Sequence, residues 1–129
     1  MKKVSILTIL FTFIAGITIA AEVNVFNARH YKADAELYNK FTAKTGIKVN
    51  LINGKAGALE KRMIEEGADS SADLYITADA GRCGVFKAKG MTQGGLTSAA
   101  IKAAVPSNFR TSHWTGIAKS CLLYTSPSP

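Results

Sequence analysis

Val23-Asn24-Val25-Phe26-Asn27-Ala28-Arg29-His30-Tyr31-Lys32-Ala33-Asp34 is the stretch whose reading decides the fold. Val23 and Val25 give the β-branched, period-two pattern of a strand, and Phe26 extends the apolar run. The polar residues that follow form a turn carrying a histidine and a tyrosine. Beyond it, Asp34 is placed to cap a helix in which Leu37, Phe41 and the Tyr38 ring recur at helical spacing. A strand running through a short turn into a helix opens a parallel α/β sheet. In such sheets ligands sit at the carboxyl ends of the strands, so Asn27 to Lys32 is the first candidate site.

Working outward, the helix is expected from Asp34 to Thr45, with Gly46 at the left-handed position that closes it. Ile47 to Ile52 alternates strictly and reads as a second strand. Asn53 to Gly57 reads as a loop rich in backbone amides, and Ala58 to Glu66 as a helix with Leu59 and Met63 on one side. Turn residues from Asp69 to Asp73 lead into a short buried strand, Leu74 to Thr77. Asp79 then serves as a turn or capping residue for a helix from Ala80 to Lys89. A loop from Met91 to Leu96 and a helix from Thr97 to Val105 follow, and Trp114 to Ala118 would begin another strand. The alternation predicts an α/β fold with a mostly parallel sheet and helices on both faces. Convergence of the turns at Asn27–Lys32, Asn53–Gly57 and Ala78–Arg82 would build one cleft suited to an anion or a metal–anion pair.

Both ends of the chain stand apart from this pattern. Lys2 and Lys3 precede an uncharged run from Val4 to Ala20 and then small residues, the layout of a signal peptide over residues 1–21. The run is at the short limit for a membrane span, so the mature chain is expected to be exported and not membrane-embedded. At the other end, Cys121 to Pro129 resembles a translated library-preparation adaptor, reading TGT CTC TTA TAC ACA TCT CCG AGC CCA. Residues 120–129 are therefore expected to be a non-native tail, and 22–119 an incomplete domain. Setting Cys121 aside leaves Cys83 alone, so no disulfide is implied.

Without Lys2 and Lys3 the chain has fourteen basic and nine acidic residues, a net charge of +5. The lysines are scattered singly over the predicted helices, whereas a nucleic-acid binder concentrates them on one face. No nucleic-acid partner is expected. There is no nucleophile elbow, Walker loop or His-x-x-x-His pair, and an enzyme is not expected.

Three stretches, Val23 to Tyr31, Phe41 to Val49 and Ser71 to Arg82, resemble the ferric-iron-binding proteins of bacterial ABC importers, as do Ala104 to Arg110 and His113 to Gly116. The resemblance implies two α/β lobes joined by hinge strands, with Fe³⁺ in the cleft between them. This chain would be a partial first lobe that neither folds stably alone nor binds iron tightly. It also implies a periplasmic location, a monomer and an inner-membrane ABC permease as partner. Arg29-His30-Tyr31 matches the family's amino-lobe ligand motif, which nominates Tyr31 and His30 as metal ligands. Tyrosines of the second lobe and a synergistic anion such as carbonate would complete the site.

Fe³⁺ is a hard acid and accepts a phenolate, as haem iron does in catalase. Free tyrosine ionises near ~10, so the metal must displace a proton and affinity should fall with pH. Arg29 would screen the phenolate, hold an anion or simply lie on the surface. The sequence departs from the family at Ala78, where some members carry a carboxylate ligand. Trp114, beside His113, would pack between the lobes. Because the fold is shared, an organic cation or oxyanion ligand such as a polyamine, thiamine or sulfate stays open beside iron.

Overall fold

The computed structural model describes residues 21–29, 31–96 and 98–118. The expected signal segment, the tail and His30 therefore lie outside the described residues, apart from Ala21 at the segment's end. Strand β1 (Glu22–Asn27) is followed by α1 (Asp34–Thr45), β2 (Lys48–Asn53), α2 (Ala56–Glu66), β3 (Leu74–Ile76), α3 (Ala80–Ala88) and α4 (Ala99–Ala104). The strands form one parallel sheet in the order β2-β1-β3. Right-handed crossovers in that order place α1 on one face and α2 on the other. The expected α/β architecture is what the chain adopts.

The register defines two rows of side chains. Phe26 pairs with Ile52 and Tyr75, while Val25 pairs with Leu51 and Leu74. Successive residues of a strand point to opposite faces, so the rows back onto each other through the sheet. On the Phe26 side, Leu59 and Met63 of α2 and Phe86 of α3 close a buried cluster. The Tyr75 ring meets Phe86 edge-on, with centroids 5.5 Å apart. On the Val25 side Leu51 is 38% exposed and Leu74 48%, and α1 supplies no buried residue.

Leu37 and Phe41 therefore do not face the core as their spacing suggested; both are exposed. Asp34, Tyr38 and Thr42, one position further on at the same four-residue interval, are the half-buried residues of α1. Two stripes offset by one residue satisfy helical periodicity equally well, and contacts made by Asp34 and Tyr38 accompany the second.

Most boundaries agree with expectation, and the exceptions have local causes. Gly46 ends α1 at φ +74°, and its N–H donates to Thr42 O. Asp34 is not the cap of α1: Ala33 is, without a side-chain bond, and Asp34 opens the helix with its carboxylate turned to Arg29. Its charge still suits the amino end of a helix dipole. Helix α2 starts at Ala56, so the loop before it is shorter than expected. Gly54 is required there, since a Cβ would lie 2.9 Å from Leu59 Cδ2. Helix α4 starts at Ala99, capped by Ser98 Oγ, which accepts from Ile101 N–H at 3.1 Å. Among the described residues near Trp114 the chain forms an antiparallel bridge between Arg110 and Thr115 in place of the expected strand.

Candidate functional site

The site is built at the carboxyl end of β1, the central strand. Asn27, the last residue of β1, is 3% exposed. Its side-chain amide donates to Asn53 Oδ1 at 2.9 Å, and its carbonyl Oδ1 accepts from Arg29 N–H at 3.0 Å. One buried side chain thus joins the end of β2 to the turn after β1. Gly54 N–H adds a second tie, donating to Asn27 O at 3.2 Å. A buried amide costs free energy unless it is bonded, so these partners stabilise the turn's path.

The turn presents Tyr31 to solvent at 61% exposure. Beside it the Arg29 guanidinium lies 4.4 Å from the centre of the Tyr31 ring, within cation–π range. Arg29 Nε also stands 3.5 Å from Asp34 Oδ2, an ion pair whose two atoms are shielded from solvent and make no well-aligned hydrogen bond. Tyr31, Arg29, Asn27, Asn53, Tyr38 and Leu51 line a groove of about 320 Å³. Burial raises the pKa of Tyr38 above the usual tyrosine value, and Asp34 adds to the effect while Arg29 opposes it. Tyr38 is thus a neutral wall of the groove, and Tyr31 is the phenol that projects from it.

Of the three turns expected to converge, the first two meet through Asn27 and Asn53. Among the described residues none of the third turn lines this groove, although Ala28 N–H, just past β1, donates to Ile76 O at the end of β3 at 2.8 Å. Asp79, Gly81 and Arg82 border a different groove of about 310 Å³, between α2 and α3. Asp79 is spent on capping α3, accepting from Gly81 N–H at 2.8 Å, as its position suggested. Arg82 Nη1 donates to both oxygens of Glu60, at 2.8 and 2.7 Å, and Tyr75 OH donates to the same carboxylate at 2.7 Å. This groove is walled by satisfied partners. Cys83 is half-buried with its thiol pKa pushed up by burial and by Asp79, which suits a structural thiol.

His30, the second expected ligand, lies outside the described residues. His113 is half-buried, its Nδ1 2.9 Å from Thr92 Oγ1, and it is remote in sequence from the turn. Among the described residues no three or more histidine, cysteine, aspartate or glutamate side chains cluster to hold a metal. The groove's exposed oxygen group is the phenol of Tyr31.

No family model matches the chain. It is 44% identical to the iron uptake protein A1 of Synechocystis sp. over 100 residues, which are 76% of this chain and 28% of that protein. The chain is homologous to ferric-iron-binding proteins. The Fe(3+)-binding periplasmic protein of Serratia marcescens is 35% identical over 97 residues, 73% of this chain and 28% of that one. A solved Trichodesmium protein (IdiA, FutA), in complex with iron and citrate, superposes with a TM-score of 0.69 at 41% identity. That match covers 74% of this chain and 31% of the other. The ferric-binding protein of Campylobacter jejuni gives 0.65 at 40% identity, over 70% and 28%. The chain thus spans under a third of the length of these relatives.

Sequence reading missed Asn27 and Asn53 as the tie between the first two turns. The signal was present: Val23-Asn24-x-x-Asn27 in β1 repeats as Val49-Asn50-x-x-Asn53 in β2, and the register pairs the asparagines. Asn50 Nδ2 donates to Asn24 Oδ1 at 3.1 Å, so both pairs are bonded.

Proposed function

We propose that this chain is the opening part of a periplasmic ferric-iron-binding protein, which captures Fe³⁺ and delivers it to an inner-membrane ABC permease. Residues 22–119 would form an incomplete first lobe, preceded by a cleaved signal peptide and followed by an adaptor-derived tail from residue 120. The observation that carries the reading is Tyr31: an exposed phenol at the end of the central strand, in a chain 44% identical to an iron uptake protein. Tyr31 and His30 supply the first lobe's ligands. The remaining ligands, with an anion such as carbonate, come from polypeptide beyond this sequence, and the fragment alone does not hold iron tightly. The protein acts as a monomer and a carrier, not an enzyme. No helix among the described residues is long and apolar enough to cross a membrane.

The chemistry supports a ferric cargo over an organic one. A phenolate and an imidazole give anionic oxygen and nitrogen donors to a hard cation. A polyamine or thiamine site would be lined by carboxylates and stacked aromatics, and among the described residues the one carboxylate lining the groove, Asp34, is engaged by Arg29. The test is ferric titration of the full-length gene product. A tyrosinate-to-iron absorption band in the visible is expected, with Tyr31→Phe weakening affinity by more than ~100-fold, above the ~10–100-fold typical of outer-shell changes. A full-length protein that ignores ferric iron and binds a polyamine, thiamine or sulfate would replace this reading with the organic-cation or oxyanion one.

A further inference from the structure

We infer that Arg29 is a positioning residue for Tyr31, holding the phenol in the orientation in which it meets the metal. The inference rests on Tyr31 being a ferric ligand and adds what fixes it in place. An exposed tyrosine on a turn samples several rotamers, and binding must restrict it, which weakens affinity. Here the freedom is reduced beforehand. The Arg29 backbone is fixed by Asn27 Oδ1 at 3.0 Å, and its guanidinium is drawn to Asp34 at 3.5 Å. The side chains of both charged residues are largely shielded, at 21% and 16% exposure. The plane so anchored lies 4.4 Å from the Tyr31 ring centre. An exposed ring therefore rests on a partly buried cation whose backbone is bonded and whose guanidinium is held beside one carboxylate.

Arg29 does not contact the metal in this arrangement; it acts through the ring. A guanidinium is planar and stacks on an aromatic face, which an ammonium does not reproduce. This stacking restricts the Tyr31 ring to one orientation before the metal arrives.

The experiment compares wild type, Arg29→Gln, Arg29→Lys and Asp34→Asn in the full-length protein, loaded with ferric iron against citrate as competitor. Arg29→Gln is expected to weaken ferric affinity about 10-fold, in the range for residues that orient a ligand. It should also shift or broaden the tyrosinate absorption band, a signature that loss of stability alone does not produce. Arg29→Lys keeps the charge and loses the plane, so it should recover only part of the affinity. Asp34→Asn frees the guanidinium while leaving it present, and should broaden the band with a smaller loss. Lys40→Gln, on the exposed side of α1, controls for charge alone and should change nothing. Wild-type affinity and an unaltered band in Arg29→Gln would overturn the inference while leaving Tyr31 as a ligand. Absence of any tyrosinate band in wild type would instead overturn the reading of Tyr31, and this inference with it.

Discussion

Phe26 and Val25 are neighbours in β1, and both are almost fully buried, yet the two sides of the sheet they occupy are built differently. On the Phe26 side two helices deliver Leu59, Met63 and Phe86 onto a complete row of Ile52, Phe26 and Tyr75. On the Val25 side a single helix lies over the sheet through half-buried Asp34, Tyr38 and Thr42, and the flanking Leu51 and Leu74 stay partly in solvent. The packed side holds the domain together; the looser side carries the groove and Tyr31. Apolar burial contributes roughly in proportion to area removed from water, so stability is concentrated on one face. The binding turn is assembled on the other, where a ligand can still enter.

The largest expected effect tests that division directly. Phe26→Ala should destabilise by about 3–5 kcal/mol, the usual cost of emptying a buried aromatic site. In the full-length protein, where the described part of this lobe holds only five buried hydrophobic residues, this should lower the urea midpoint clearly. Phe41→Ala removes the same side chain from the exposed stripe of α1 and should change stability by less than ~1 kcal/mol. Equal losses would mean that α1 is packed as tightly as α2, and the contrast between the faces would fail.

A middle-sized effect lies at the junction of the two turns. Asn27→Ala removes two part-buried hydrogen bonds, to Asn53 and from the Arg29 N–H, and at ~0.5–1.5 kcal/mol each should cost about 1–3 kcal/mol. The same change should loosen the turn, so proteolysis or amide exchange at Arg29 should rise with it. If Asn27→Ala lowers stability and leaves Arg29 exchange unaltered, Asn27 supports the sheet and not the site.

The order of elements, the parallel sheet and the helix-ending glycines were legible because each is written locally. Strand alternation at Val23–Val25, the stop at Gly46 and the cap at Asp79 depend on residues a few positions apart. The inward side of α1 was not legible, since Leu37/Phe41 and Tyr38/Thr42 fit a helical period equally. What accompanies the choice is the engagement of Asp34 by Arg29, a contact between a turn and a helix start that hydrophobicity does not encode. Tyr31 was visible as a ligand candidate through its motif. Its support was not, because Asn27 meets Asn53 only after the strands pair. The place of the third turn was hidden for a similar reason: Arg82 engages Glu60 of α2, so among the described residues the turn's side chains border a second groove and not that of Tyr31.

The smallest effect uses one chemical group on both faces. Tyr75, on the packed side, has its pKa pushed up to about 12, chiefly by burial, with its hydroxyl donating to Glu60. Tyr38, on the looser side, is raised as well, by burial first and then by Asp34. In each case the folded state keeps a proton that the unfolded state releases near 10. Their contribution is therefore complete below pH 10 and declines as pH rises, for Tyr75 through the interval to about 12. Tyr75→Phe should remove that part of the alkaline loss and, by leaving Glu60 one donor short, cost about 1 kcal/mol at neutral pH after allowance for partial exposure. Tyr38→Phe should alter the alkaline slope less and the neutral stability hardly at all. Denaturant midpoints of the three proteins between pH 8 and 12 measure the difference. A Tyr38→Phe slope change as large as that of Tyr75→Phe would show the groove wall to be as shielded from water as the core, and would place Tyr31 at the mouth of a closed site instead of an open one.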